Sequence, residues 1–362
     1  MKAILLATVL VLDAMPAMAQ PASPSESGYA PRKPDFDRAE AVRRLGDTSL
    51  VYWVDGPTLR IAARSSAREP RLCCTFQPPM YDLSDGIWGL MVEVPELDRS
   101  VIQMILAGDA TVPQTYRGPQ ALPDPVRVEA LKGRVETVEI DSFSLKEKRK
   151  VTIYRPAVPP PATGYPVIYM ADGQSTAVFA LIVESLIDQG LIQPVMMVGL
   201  WHGTGPRDGG WDQRNREYLP SAKVDPAAYQ RHSNFVLTEV MPLAEKTYGA
   251  SRRRDDRLTY GFSSGGSWAM SFALRHPDVF AKASAAGMSA GPDNFAFTGE
   301  EKVALYLTTG RYDQFYQRNL KTCQNAQAAG VACRFTGLYA GHDSYVWNHA
   351  LVESLKASFS LK

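Results

Sequence analysis

A chain of 362 residues with 45% hydrophobic and 21% charged residues has enough apolar material for two domains with ordinary cores. A net charge of +1 argues against a nucleic-acid surface, which needs a basic excess, and four cysteines are too few for a disulfide scaffold. No His/Cys cluster has zinc spacing, so neither a metal nor another cofactor is expected.

Residues 1–19 read as an export signal. Lys2 supplies the positive charge, an apolar run follows, and Ala17-Met18-Ala19 is a small-x-small cleavage site. No later apolar run is long enough for a membrane helix, so a periplasmic or secreted protein without stable membrane insertion is expected. Residues 20–34 are rich in Pro, Ser and Gly and predict a disordered leader. A short helix is expected over 35–44. Short strands between turns follow at 50–54, 59–63, 71–76, 88–94 and 101–106, a spacing that predicts a small β-sandwich over 35–120. Cys73 and Cys74 fall within one of these strands. Residues 121–133 read as a linker, flanked and interrupted by Pro119, Pro123 and Pro125.

From residue 134 to 362 strands and helices alternate. A hairpin is expected from 134–140 and 151–155. Continuous apolar runs, as buried parallel strands show, lie at 167–171 and 195–200. Further strands are expected at 283–287, 303–308 and 333–339. Helices are expected at 176–189, 233–248 (with Pro242 as a kink), 314–329 and 351–359. This order predicts a mostly parallel sheet with helices on both faces. Cys323 and Cys333 fall on one helix and the next strand, and could pair in an oxidising compartment.

The chemistry centres on Gly261-Phe262-Ser263-Ser264-Gly265, a G-x-S-x-G box between an apolar strand and a helix. That context fits a strained strand-to-helix turn which exposes a nucleophilic serine. A serine nucleophile of this kind is followed in the chain by an acid and then a histidine. His342, in Gly341-His342-Asp343 after the last strand, is the candidate base. Asp313, after the buried strand 303–308, is the candidate orienting acid, with Asp293 as the alternative; Asp343 is too close to the histidine to orient it. The backbone N–H groups of Ser264 and Gln174 are the candidate oxyanion donors. Asp172-Gly173 before Gln174 reads equally as a plain turn. His202 and His232 lie where they could border the site.

These motifs resemble the esterase branch of the α/β-hydrolases, most closely the enterochelin (catechol siderophore) esterases. The resemblance covers about 134–362 and rests on several motifs in order. They are Met170-Ala171-Asp172-Gly173-Gln174, Arg214-Asn215-Arg216-Glu217-Tyr218, the serine box, His276-Pro277-Asp278-Val279-Phe280, Thr309-Gly310-Arg311-Tyr312-Asp313, and Gly341-His342-Asp343 with Trp347. It implies an α/β-hydrolase domain preceded by an immunoglobulin-like β-sandwich. It also implies a serine carboxylic ester hydrolase that needs no cofactor. The partner would be a small-molecule ester, with a ferric siderophore as one candidate. Feruloyl and carbohydrate esterases and mycolyl transferases share much of the pattern. The siderophore esterases of this two-domain layout are typically cytoplasmic, whereas this chain begins with an export-type segment. Residues 201–231 read as a substrate-facing insertion, with Arg207, Arg214, Trp201 and Trp211 suited to a phenolic acyl group. A structural Arg214–Glu217 ion pair is the competing reading.

Overall fold

The structure, a computed structural model, describes residues 28–76, 78–106, 113–205, 211–221, 224–290 and 296–361. The segment read as an export signal lies outside them.

The N-terminal module is built from two antiparallel sheets. One orders Ala30–Arg32, Ile87–Glu93, Thr58–Arg64 and Leu50–Asp55, with Tyr81–Asp82 also paired to Ile87–Glu93. The other orders Leu72–Cys74, Val101–Leu106 and Gln114–Arg117. Strand periodicity makes the core. Leu59, Ile61 and Ala63 point inward from the first sheet and meet Leu72, Ile102 and Met104 from the second. Ala62, between them, faces out and is covered by Ala41 and Leu45 of the helix Arg38–Leu45. That helix begins where the Asp37 carboxylate accepts the Glu40 N–H, three residues later than the composition suggests.

One expectation is corrected here. Part of the supposed leader, Ala30–Arg32, is an edge strand, and its Pro31 is tolerated because the N–H it lacks would face away from the sheet. The segment 121–133, read as the linker, is docked on the second module. The Lys132 and Gly133 N–H groups donate to Glu184, and Tyr345 donates to the Leu122 carbonyl.

The second module holds eight strands: β1 (Arg134–Ser142), β2 (Glu147–Arg155), β3 (Val167–Ala171), β4 (Met196–Leu200), β5 (Arg257–Phe262), β6 (Lys282–Ala286), β7 (Ala304–Gly310) and β8 (Cys333–Leu338). Their order across the sheet is 1-2-4-3-5-6-7-8. β1 with β2, and β2 with β4, are antiparallel; all other pairs are parallel. β3 shows why its sequence is apolar throughout. Val167, Tyr169 and Ala171 enter the core on one face, Ile168 and Met170 the core on the other.

Helices cover both faces: α1 (Thr176–Asp188), α2 (Gln213–Tyr218), α3 (Pro226–Phe235), α4 (Met241–Thr247), α5 (Ser264–Arg275), α6 (Tyr316–Ala328) and α7 (Ser344–Phe359). Between α3 and α4 the chain makes a π-helical turn over Val236–Val240. Pro242 explains it: proline lacks an N–H and its ring crowds the carbonyl four residues back, so the turn widens. α7 begins at Ser344, well before the expected 351, because the Asp343 carboxylate caps it through the Tyr345 N–H.

Cys323 of α6 and Cys333 of β8 form a disulfide with Cα atoms 5.6 Å apart. It closes a loop over a sequence separation of 10 residues. By loop-closure entropy such a bridge stabilises by about 2–3 kcal/mol. The double variant Cys323→Ser/Cys333→Ser should lose that much in urea unfolding. A midpoint equal to that of the parent would show that the bridge contributes nothing.

Candidate active site

Ser263 stands between β5 and α5 with φ +54° and ψ −125°, a conformation that costs a residue with a Cβ on the order of 1–3 kcal/mol. Packing holds it there. The Ser263 N–H donates to the Ala286 carbonyl at the end of β6 (2.9 Å), and the Ser263 carbonyl accepts from Ser267 and Ser289. The flanking glycines are required by contact. A Cβ on Gly261 would lie 2.1 Å from the Gly265 carbonyl oxygen, and one on Gly265 would lie 2.8 Å from an Asp172 carboxylate oxygen. The serine side chain is half-exposed, and its hydroxyl has no hydrogen-bond partner among the described residues.

Asp313 is buried just beyond β7. One carboxylate oxygen accepts the Phe315 N–H (2.8 Å); the other lies 2.7 Å from His342 Nδ1. With Nδ1–H donating to the carboxylate, Nε2 is left as an acceptor, the state a general base needs. Gly287 follows Ala286, so the end of β6 ties the pair to the serine turn. A Cβ at Gly287 would sit 2.9 Å from His342 Nδ1 and 3.0 Å from Asp313 Oδ2. His342 and Ser263 are not hydrogen-bonded to each other. Apolar rings flank His342: Phe315 at 5.3 Å and Trp347 at 6.0 Å, with Trp347 stacked on Phe262 at 4.2 Å. Asp343 has a different task. It caps α7, and burial pushes its carboxyl up to about 6. Asp293 lies outside the described residues.

Both histidine and acid loops lean on the N-terminal module. The Tyr312 hydroxyl pairs with Ser100 Oγ at 2.6 Å, and the Val101 N–H donates to the Tyr339 carbonyl. A Cβ on Gly341 would overlap the Thr75 Cα at 2.3 Å. No motif in the sequence points to this contact.

The candidate oxyanion side is built around Asp172, which has φ +57° and is almost fully buried. Gly173 must be glycine, because a Cβ would fall 2.4 Å from the Gly199 carbonyl. Gln174 is exposed, with its amide 3.4 Å from His202 Nε2. Gln174 lies in the first turn of the short helix Gly173–Ser175 and Ser264 opens α5, and N–H groups at such starts lack intrahelical acceptors. Their loops touch where Gly265 meets Asp172 and Ala171.

Arg214 corrects the sequence reading. Its guanidinium faces inward, donating to both Asp172 oxygens (2.6 and 2.7 Å) and to the Phe262 carbonyl (3.2 Å). It therefore clamps the Gln174 loop to the serine turn. Nor does it pair with Glu217, which forms a buried ion pair with Arg149 at 2.7 and 2.8 Å. Trp201 is also turned away: its indole N–H donates to Thr152 of β2, under Lys150. Trp211 is half-buried ahead of α2, and Arg207 lies outside the described residues. His232 is a core residue of α3, packed on Tyr218 and Trp268, and burial pushes it down to about 4. Asn215 was not anticipated; its amide oxygen accepts from Ser264 Oγ at 2.6 Å.

Removing the Arg214 charge strands a buried carboxylate. Arg214→Gln should cost about 3 kcal/mol of stability and lower kcat/KM equally for neutral and anionic esters. A loss confined to anionic esters would return Arg214 to a substrate-binding role.

Comparison with known proteins agrees with this architecture. Residues 142–292 match the Esterase family model, described as "Putative esterase". Ferri-bacillibactin esterase BesA of Bacillus subtilis is 28% identical over 149 residues, which is 36% of this chain and 50% of that protein. The match thus spans half the length of that curated relative. Among solved structures, the enterobactin esterase FES from Shigella flexneri superposes with a TM-score of 0.64 at 15% identity, over 85% of this chain and 95% of its own. The ferulic acid esterase AmCE1/Fae1A from Anaeromyces mucronatus gives 0.54 at 15%, over 66% and 96%. At such identities the structures speak to the fold alone. Residues 142–292, under half of the chain, are thus similar to this esterase family, and the fold around them is that of the α/β-hydrolases.

Proposed function

We propose that the protein is an exported serine esterase that hydrolyses carboxylic esters through an acyl-enzyme. The observation that carries this reading is the Asp313–His342 contact of 2.7 Å beside a left-handed serine turn. In the proposed reaction Ser263 Oγ attacks the ester carbonyl while His342 Nε2 takes its proton. The oxyanion is held by the Ser264 and Gln174 N–H groups, at the positive end of α5. His342 returns the proton to the leaving alcohol, and water then repeats the sequence to release the acid. Export rests on the pattern of residues 1–19.

The substrate we favour is the ester backbone of a catechol siderophore of the enterochelin type. The likeness to BesA and FES supports it, and so does the aromatic collar of Phe262, Phe315 and Trp347 around His342. Cleaving a trilactone separates its three chelating arms, and iron is then held without their mutual effective concentration. In the same reading the N-terminal sandwich is immunoglobulin-like. The likeness to ferulic acid esterases favours a second reading, cleavage of feruloyl or acetyl esters on plant polysaccharide. An acyltransferase with the same three residues is a third, in which an alcohol replaces water.

A substrate panel tests the choice. kcat/KM on a catecholate trilactone should exceed that on methyl ferulate and acetylated xylan by at least about tenfold. Cleavage of methyl ferulate with no action on the trilactone would move the assignment to the polysaccharide esterases. Ester products formed with an added alcohol acceptor would mark a transferase.

A further inference from the structure

A second concave site lies at the opposite end of the sheet from Ser263, where β3 and β5 begin. It encloses about 560 Å³ and is lined by Lys132, Arg134, Arg155 and Lys246. Arg134 and Arg155 are directly opposite each other across the β1–β2 pair, so their side chains leave the same face of the sheet. Like charges in that register repel. Neither they nor Lys246 has an ion-pair partner among the described residues. The acid in the lining is already committed: Glu245 pairs with Arg257 at 2.7 Å. Glu136, next along the same face of β1, accepts from the Tyr248 hydroxyl at 3.4 Å and keeps its charge beside Arg134 and Arg155. Lys132 is held by Asp188 at 2.8 Å. Three cations therefore converge on one space, with Glu136 at its edge as the one nearby carboxylate that no ion pair among the described residues engages.

We propose that this cleft binds a phosphate-bearing ligand, with Arg134 and Arg155 bridging its oxygens and Lys246 completing the charge. A single carboxylate satisfies one guanidinium. Two guanidinia and an ammonium need a multiply charged group with several acceptor oxygens, which phosphate and diphosphate supply. The group could belong to a soluble phosphate ester or to a lipid headgroup, and the two sources are separable.

The test titrates inorganic pyrophosphate into the full-length protein at low ionic strength by calorimetry, with Arg155→Gln alongside. The parent should bind saturably, and the variant should bind at least about tenfold more weakly. The variant should also melt higher than the parent without ligand, because the cross-strand repulsion is gone, yet gain nothing from pyrophosphate. Hydrolysis of a simple acetate ester should be unchanged, since the cleft is remote from the elbow. Sedimentation with vesicles of phosphatidate in phosphatidylcholine, but not of phosphatidylcholine alone, would assign the site to a lipid headgroup. No sedimentation together with pyrophosphate binding would assign it to a soluble phosphate. No saturable binding by the parent at millimolar pyrophosphate, or equal affinity in parent and variant, would overturn the proposal.

Discussion

Replacing Ser263 with alanine should lower kcat by about 10⁴ to 10⁶-fold and leave the fold intact. Alanine keeps the Cβ and so keeps the strain at φ +54°, which the Ala286, Ser267 and Ser289 hydrogen bonds already hold. Ser263→Gly is the sharper companion. Glycine occupies positive φ without penalty, so this variant should be as inactive as Ser263→Ala but more stable by about 1 kcal/mol. A fluorophosphonate probe reads the nucleophile directly, and thermal unfolding reads the strain. Equal labelling of parent and Ser263→Ala would remove Ser263 from the mechanism. A glycine variant less stable than the parent would mean that the turn is not strained.

What the sequence makes legible here follows from local physics. β3 and β4 are covered on both faces, so their residues are apolar without alternation and stand out. The elbow is legible because contact geometry demands glycine on both sides of Ser263, and such demands leave a pattern. The Asp313–His342 contact is legible because chain order and strand ends limit the choices. The fate of Arg214 is not. Its partner Asp172 is 42 residues away, and nothing local distinguishes a cation that clamps a loop from one that meets a substrate. The same holds for Thr75 against Gly341 and for Tyr312 against Ser100, which join two modules far apart in sequence. Helix starts at Arg38 and Ser344 were misplaced for a related reason. Each is set by one capping carboxylate, Asp37 or Asp343, and not by hydrophobic period.

The candidate acid is where sequence and structure bear on each other most directly. Asp313 has both oxygens engaged, one by the Phe315 N–H and one by His342 Nδ1, so its orientation is set before substrate arrives. Asparagine is nearly isosteric and keeps at least one of these contacts. Its amide, however, has no charge to stabilise an imidazolium, and when it donates to Nδ1 it enforces the wrong tautomer. Asp313→Asn should therefore lower kcat by about 10³ to 10⁴-fold with a small change in KM and in stability. Asp343→Asn is the matched control, one residue from the histidine. Asparagine caps helices as well as aspartate does, so kcat should stay within a few-fold of the parent. The two variants assayed side by side, with Asp293→Asn as a third, identify the acid by which one loses activity. Retention of turnover in Asp313→Asn with loss in Asp293→Asn would transfer the role. Loss in Asp343→Asn alone would mean that the start of α7, and not a buried carboxylate beyond β7, sets the histidine.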